Sequence, residues 1–292
     1  MTNELLLRVI SALLLAGFSF WWIYKASELV FLLITFALSI TATFEYARAI
    51  EKKGIPSHRW ALMACTVILF GSIWLHRNDF GFLALLGLGL VFLLMIGSSL
   101  TNRDQQRSLI TWYLFPLVWI SLPISSMFYF RFTLTNSVAP PLIILLLMIV
   151  AFNDIFAYFG GKKFGRHPLA PVISPKKTVE GALFGVLGGL IGGCLSPYLS
   201  DVLAAVFSID KANQSVIDLL TSWKIALVVI IVVPISQFGD LVESKFKRYC
   251  GVKDSSNLIP GHGGLLDRCD AFLFAIPAFY IALLVIGLRS II

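Results

Sequence analysis

Residues 139–160 read APPLIILLLMIVAFNDIFAYFG, and the apolar run within this stretch decides the fold class. The segment from Leu142 to Ile149 is apolar at every position, so it lacks the alternating polarity of a strand in a membrane β-barrel. A helix that crosses a bilayer needs about 20 predominantly apolar residues, because no water is present there to satisfy an exposed backbone. We therefore expect a transmembrane helix over residues 139–160.

The same apolar character continues along the chain. Of its 292 residues, 58% are hydrophobic and only 13% are charged, whereas soluble domains carry roughly 25% charged residues. We predict an all-α fold, a polytopic integral membrane helical bundle of about nine transmembrane helices. The predicted spans are residues 5–24, 28–46, 60–76, 80–97, 109–128, 139–160, 178–199, 222–240 and 270–289.

The basic residues are distributed unevenly between the connections. The net charge is +7, and 16 of the 23 lysines and arginines fall in alternate connections. The positive-inside rule places those connections in the cytoplasm, with the N-terminus inside and the C-terminus outside. The basic residues form no contiguous stripe, so we expect no nucleic-acid partner and expect anionic lipid headgroups and a small anionic substrate instead.

The two halves of the chain differ in their ionisable residues. Acidic residues occur at or inside helix ends from Asp154 onward, while the first five predicted spans carry almost none in their apolar centres. We therefore expect an N-terminal transmembrane scaffold of about five helices over residues 1–137. Residues 138–292 are expected to form a catalytic transmembrane domain of about four helices with basic cytoplasmic loops. The repeated glycines of the seventh span are interpreted as helix-packing positions.

Two segments suggest polar sites next to the membrane. Asp154 lies inside a predicted span, where a carboxylate is costly unless it meets a cation, a metal or water; pairing with a basic side chain is the alternative. The segment from Ser174 to Gly181 carries Lys177 and Thr178, with Ser174 as an expected N-cap and Pro175 as an expected helix start. A helix start beside lysines can bind an anion, although a basic loop can also be only a topology signal.

Two further segments carry the acidic residues of the C-terminal half. Asp240, Glu243, Ser244 and Lys247 follow helical spacing and form one polar stripe, which could also be an ion-paired, solvated helix end. Further along, a glycine-rich turn with His262, Gly263 and Gly264 precedes Asp267 and Asp270. Two carboxylates three residues apart on one helix face suit Mg²⁺, and helix capping is the alternative.

The C-terminal residues resemble the signature of a known enzyme family, the phosphatidate cytidylyltransferases (CDP-diacylglycerol synthases). The resemblance is close over about residues 150–292 and general over the earlier spans. Supporting segments are Asp154-x3-Tyr158, Ser174-Pro175-x-Lys177-Thr178 and Gly239-Asp240-x2-Glu243-Ser244. The main motif is Ser244-x-Phe246-Lys247-Arg248-x4-Lys253-Asp254-x-Ser256-x2-Ile259-Pro260-x-His262-Gly263-Gly264-x2-Asp267-Arg268-x-Asp270.

The resemblance implies that CTP and phosphatidate react to give CDP-diacylglycerol and pyrophosphate. On this basis we expect two cations, Mg²⁺ with a second Mg²⁺ or K⁺, held by Asp240, Glu243, Asp267 and Asp270. His262 and Lys247 are expected to join these acids in catalysis. The residues expected to bind CTP and the lipid phosphate are Asp154, Lys177, Thr178, Ser244, Arg248, Lys253, Gly263, Gly264 and Arg268.

Other functions could use some of the same residues. Another CTP-dependent membrane lipid enzyme, such as a polyprenol kinase, could share a similar catalytic half. A CDP-alcohol phosphotransferase lacks support because its acidic motif is missing, and an ion transporter would not explain the glycine-rich turn.

We expect phosphatidate to enter from the cytoplasmic leaflet and the active site to face the cytoplasm. A bacterial inner membrane is the expected location, and a homodimer is left open.

Overall fold

The computed structural model describes residues 16–55, 59–75, 112, 115–135, 137–209, 216, 218, 223–256, 258 and 263–286. The predicted helical class is confirmed, since these residues are helical except for one short hairpin and the connections. The elements are α1 (16–25), α2 (Glu28–Lys52), α3 (Arg59–Leu75), a π-helical turn (Leu117–Ser121), α4 (Leu122–Thr133), α5 (Ala139–Phe164), β1 (Pro168–Ala170), β2 (Ser174–Thr178), α6 (Val179–Phe207), α7 (Lys224–Tyr249) and α8 (Leu266–Val285).

Five of the described helices are long and apolar enough to cross a membrane: α2, α5, α6, α7 and α8. Two shorter apolar helices cover Arg59–Leu75 and Leu117–Phe132. The predicted count of about nine is not confirmed, because the predicted span 80–97 and parts of 5–24 and 109–128 lie outside the described residues. Within those limits, the protein has the helices of a polytopic membrane protein.

Helices α5 and α7 continue beyond their predicted apolar spans. The predicted spans end at residues 160 and 240, whereas α5 ends at Phe164 and α7 at Tyr249. The apolar residues determine which part of a helix can lie in the bilayer. Lysine, glutamate and arginine are good helix formers, so the helix continues into the polar layer. The extension of α7 carries Glu243 and Lys247, so candidate site residues lie on regular helix.

The expected helix start at Ser174 and Pro175 is wrong. Ser174–Thr178 is strand β2, which pairs antiparallel with β1 through Pro168 opposite Thr178 and Ala170 opposite Ser174. Helix α6 begins only at Val179, and the hydroxyl of Thr178 caps it by accepting a hydrogen bond from Gly181 N at 3.1 Å. Thr178 offers the same kind of capping oxygen as Ser174, which leaves the preceding residues free to pair as a hairpin.

Glycines along one side of α6 allow it to pack closely against α5 and α7. A Cβ atom at Gly188 would overlap the carbonyl oxygen of Phe152 on α5. A Cβ at Gly189 would lie 2.8 Å from Cγ2 of Val233 on α7. Small residues let helix backbones approach in this way, so the interpretation of these glycines as packing positions is confirmed.

Helix α5 lies at the centre of the largest buried cluster, which explains why it is apolar on every side. Its residues Leu142–Leu146 are fully or almost fully buried, and the same cluster includes Val232 on α7 and Ala278 on α8. A second cluster joins α2 to α7 and α8, where the rings of Tyr46 and Phe246 stack 4.6 Å apart. Packing therefore crosses the expected boundary between residues 137 and 138, and the division into two domains stays a prediction.

Candidate active site

Three carboxylates from two helices meet near the end of the bundle that carries the hairpin. Asp240 and Glu243 lie on α7 three residues apart, and Asp270 lies in the second turn of α8. One oxygen of each lies within 4.8 Å of the others. This arrangement, called here the carboxylate group, has the hard oxygen donors that a divalent cation such as Mg²⁺ prefers.

Two lysines bring positive charge to the carboxylate group. The ammonium of Lys247 lies 2.8 Å from Oε2 of Glu243 and 2.9 Å from Oδ1 of Asp267. Lys177, on strand β2, forms an ion pair with Asp240. The hairpin is thus held against α7 by a charge pair, and the basic loop does more than mark topology.

The surroundings of Glu243 fit the presence of a cation. Its side chain is completely buried, and apart from the Lys247 contact neither of its oxygens has a hydrogen-bond donor among the described residues. A buried carboxylate with so few donors is costly unless a further positive charge approaches it. The donor set of Asp240, Glu243 and Asp270 is therefore suitable for a bound cation.

Asp267 has different surroundings from Asp270, although both were expected to hold a metal. Its carboxylate accepts hydrogen bonds from Ser255 N at 2.9 Å, Ser255 Oγ at 3.0 Å and Gly264 N at 2.8 Å, besides the Lys247 contact. The structure brings Asp270 into the carboxylate group, whereas Asp267 is held by the loop that precedes α8 and borders the group through Lys247 and Glu243.

Asp154, on α5, lies near the carboxylate group. Its Oδ1 accepts a hydrogen bond from Asn153 Nδ2 at 2.8 Å, and Asn153 Oδ1 accepts one from Gln237 Nε2 of α7 at 2.7 Å. The Asp154 carboxylate also interacts electrostatically with Asp240, Lys177 and Asp270. The polar residue expected inside the sixth predicted span therefore lies beside the carboxylate group.

The remaining expected residues have varied positions. Thr178 caps α6, and Ser244 is half-buried one turn beyond Asp240. Gly263 has a φ of 84°, a left-handed conformation that glycine adopts without strain. Three basic residues, Arg248, Lys253 and Arg268, are exposed on α7, the following loop and α8. His262 lies outside the described residues.

Glu45 is a site residue that the sequence reasoning missed. It lies on α2, in the half assigned to the scaffold, and only 3% of its surface is exposed. Its carboxylate accepts hydrogen bonds from the hydroxyls of Ser255 and Ser256 and from the backbone of Leu265 and Leu266. An acid near the end of a predicted span is a signal for function by default, and Glu45 carried that signal.

An apolar cavity of about 550 Å³ opens among the π-helical turn, α4, α5 and α8. Its wall includes Phe274, which lies one helical turn beyond Asp270. The ring of Phe274 also fills the space beside Gly239, where a Cβ would be 2.7 Å from it, and Gly239 directly precedes Asp240. One end of the apolar cavity thus lies next to the carboxylate group.

Comparison with known proteins adds an independent finding. The sequence model described as the cytidylyltransferase family matches residues 6–286. A phosphatidate cytidylyltransferase of Staphylococcus aureus is 41% identical over 161 residues, which cover 55% of each chain. One of Staphylococcus epidermidis is 40% identical over 138 residues, 47% of this chain and 46% of that protein. One of Staphylococcus haemolyticus is 40% identical over 137 residues. The chain thus spans about half the length of the curated relatives it matches.

Proposed function

We propose, because this chain belongs to the cytidylyltransferase family, that it transfers the cytidylyl group of CTP to phosphatidate in a membrane. The products are CDP-diacylglycerol and pyrophosphate. The observation that carries the proposal is the carboxylate group, which faces two lysines and adjoins an apolar cavity. A site for a nucleotide and a lipid phosphate needs charge compensation beside a place for acyl chains.

The reaction joins two polyanions. A phosphate oxygen of phosphatidate attacks the α-phosphorus of CTP, a new phosphorus–oxygen bond forms, and the bond to the β-phosphate breaks to release pyrophosphate. The attacking monoester is already anionic near pH 7, so no general base is required. Catalysis of phosphoryl transfer consists mostly of positioning and of stabilising the charge that spreads in the transition state.

The proposed cation site consists of Asp240, Glu243 and Asp270. We assign Mg²⁺ to it, since that ion combines a few protein carboxylates with substrate phosphates. A bound divalent ion would neutralise charge on the phosphate oxygens. Asp267, which has four donors from the chain, is assigned to the loop before α8 in place of direct metal binding. A second cation, K⁺ or Mg²⁺, stays a prediction.

The basic residues divide into two sets in this proposal. Lys247 is held between Glu243 and Asp267, so it orients these acids. Lys177 pairs with Asp240 at the mouth of the site and can turn to the CTP phosphates when a cation takes over that partner. Arg248, Lys253 and Arg268 are proposed to bind the outer phosphates. The roles of Ser244, Gly263, Gly264 and His262 toward substrate stay predictions.

The lipid substrate is proposed to place an acyl chain in the apolar cavity. From Phe274 to Ile281 the cavity wall on α8 extends about 10 Å along the helix. The phosphate would then lie beside the carboxylate group and the chain would descend from it. The basic helix ends around the site favour the cytoplasmic face, and a bacterial inner (plasma) membrane stays a prediction. A homodimer stays a prediction.

The test is a transfer assay on the purified full-length protein with phosphatidate in mixed micelles. CTP labelled at the α-phosphate is expected to place its label in the lipid when Mg²⁺ is present and to leave it in solution when Mg²⁺ is chelated. CTP labelled at the γ-phosphate is expected to give labelled pyrophosphate only. Label that passes from the γ-position into lipid would instead indicate a kinase, such as one acting on a polyprenol.

A further inference from the structure

Glu45 joins α2 to both sides of the loop before α8. Its Oε1 accepts hydrogen bonds from Ser256 Oγ at 2.5 Å and Leu265 N at 3.1 Å. Its Oε2 accepts them from Ser255 Oγ at 3.0 Å and Leu266 N at 2.8 Å. Both oxygens are thus used, and each receives one donor from the residues before the glycine-rich turn and one from those after it.

Four successive contacts connect Glu45 to the carboxylate group. Ser255 Oγ lies 3.0 Å from Glu45 and also 3.0 Å from Oδ2 of Asp267. Asp267 accepts a hydrogen bond from Lys247, and Lys247 contacts Glu243. A hydroxyl has one proton, so Ser255 must share it between two carboxylates. Its orientation therefore depends on both acids.

We infer that Glu45 is a positioning residue for the transfer reaction. By binding both flanks of the loop before α8, it fixes Asp267 and, through Lys247, the orientation of Glu243 in the carboxylate group. The inference rests on the proposed function. The N-terminal half then contributes directly to the site, because α2 supplies the carboxylate that binds both flanks of the loop.

The substitution Glu45→Gln separates this role from simple space filling. Glutamine has the same shape, but its amide nitrogen is a donor where a carboxylate oxygen was an acceptor. Every partner of Glu45 is also a donor to it, so one end of the amide must face a donor whichever way it is turned. Glu45→Gln therefore keeps the packing of the side chain but disrupts the hydrogen bonds at one of its two terminal atoms.

The experiment compares Glu45→Gln with Glu51→Gln in the full-length protein. Glu51 is on the same helix, half-buried, and 3.9 Å from Arg59. For Glu45→Gln, kcat/KM for CTP is expected to fall about 10- to 100-fold, as for other residues that orient a metal site. KM for phosphatidate is expected to stay unchanged, and amide exchange at Ser255 and Gly264–Leu266 is expected to become faster. Glu51→Gln is expected to match the wild type in all three.

Several results would overturn the inference. A Glu45→Gln protein that melts earlier but keeps kcat, both KM values and the exchange rates would show a structural role only. If Glu45→Gln does not fold, Ser256→Ala removes one of the four bonds, and its kcat/KM for CTP must still fall; unchanged kinetics in Ser256→Ala would refute the role. If the wild-type protein transfers no cytidylyl group, the proposed function fails. The amide-exchange measurement still tests whether Glu45 holds the loop before α8.

Discussion

Asp267 and Asp270 lie one helical turn apart and have different partners. Asp267 receives four donors from the loop and from Lys247, while Asp270 joins Asp240 and Glu243. The surroundings decide this division, because Ser255 and Gly264 of the preceding loop donate to Asp267, while Asp270 lies beside the acids of α7. In the proposed function, Asp270 is therefore a cation ligand and Asp267 supports the loop before α8.

The first residue-scale prediction separates these two roles. Asp270→Asn and Asp267→Asn are both expected to lower turnover about 100-fold or more, since each removes a charge on which the site depends. Only Asp270→Asn is expected to weaken binding of Mn²⁺, followed as a Mg²⁺ substitute by electron paramagnetic resonance. Asp201→Asn, an exposed acid at the far end of α6, is the control. Full activity of Asp270→Asn with metal present would refute the cation site.

The second residue-scale prediction concerns the buried pair of Lys247 and Glu243. Lys247→Met is expected to destabilise the protein by about 3–5 kcal/mol, because it leaves a buried carboxylate without its partner. Adding Glu243→Leu is expected to restore much of the melting temperature in detergent without restoring activity. A double variant no more stable than Lys247→Met would contradict the view that unpaired burial causes the loss.

At the scale of elements, the packing of α6 against α5 determines the position of the β1–β2 hairpin. Helix α6 presents glycines to α5 and α7, and its first turn receives the cap from Thr178 on β2. Lys177, the preceding residue, pairs with Asp240 on α7. A small shift of α6 would therefore move the hairpin and its lysine relative to the carboxylate group.

This arrangement predicts different outcomes for two glycine substitutions. Gly188→Ala is expected to destabilise the protein by about 1–3 kcal/mol, because its methyl group would meet the carbonyl oxygen of Phe152. Gly71→Ala on α3 is the matched control, since none of the residues that the structure describes lies within 4 Å of the added Cβ. It is expected to be neutral or slightly stabilising, because alanine is the better helix former. Thermal unfolding in one detergent compares the two, and equal melting temperatures would contradict the packing role.

At the scale of the whole molecule, the polar site and the apolar cavity meet near Phe274. The carboxylate group lies at the adjoining ends of the apolar spans predicted for α7 and α8, and the cavity continues along α8 away from it. A substrate with an anionic head group and apolar chains fits a polar site that is followed by an apolar cavity. Under the proposed function, a lipid phosphate and a soluble nucleotide would meet at this boundary.

The cavity predicts a selective effect on the lipid substrate. Ser126 lines it from α4, and Ser126→Phe is expected to raise KM for phosphatidate about 10-fold or more, because the added ring takes space in the cavity and even one methylene-sized contact in an apolar pocket is worth about 10-fold. KM for CTP is expected to remain the same. Ile230→Phe, an exposed position on α7 outside the cavity, is the control. Equal changes in both KM values would argue against an acyl-chain site.

The amino-acid sequence alone determined the helical membrane class, the identity of the acidic residues and the family. Long apolar runs suffice for the first, because a bilayer leaves helices as the main way to satisfy the backbone, and fixed motif spacing suffices for the last. It also placed Asp154, Asp240, Glu243 and Asp270 among the candidates that the structure brings together.

Only the tertiary structure decided which of these residues act together. Glu45 meets residues more than 200 positions away, Asp267 turns toward the loop, and the segment from Ser174 to Thr178 pairs as a strand. Helical periodicity describes the faces of one helix at a time, whereas these contacts depend on how α2, α7 and α8 pack together. The physical reason is that side chains distant in sequence become neighbours only when helices dock.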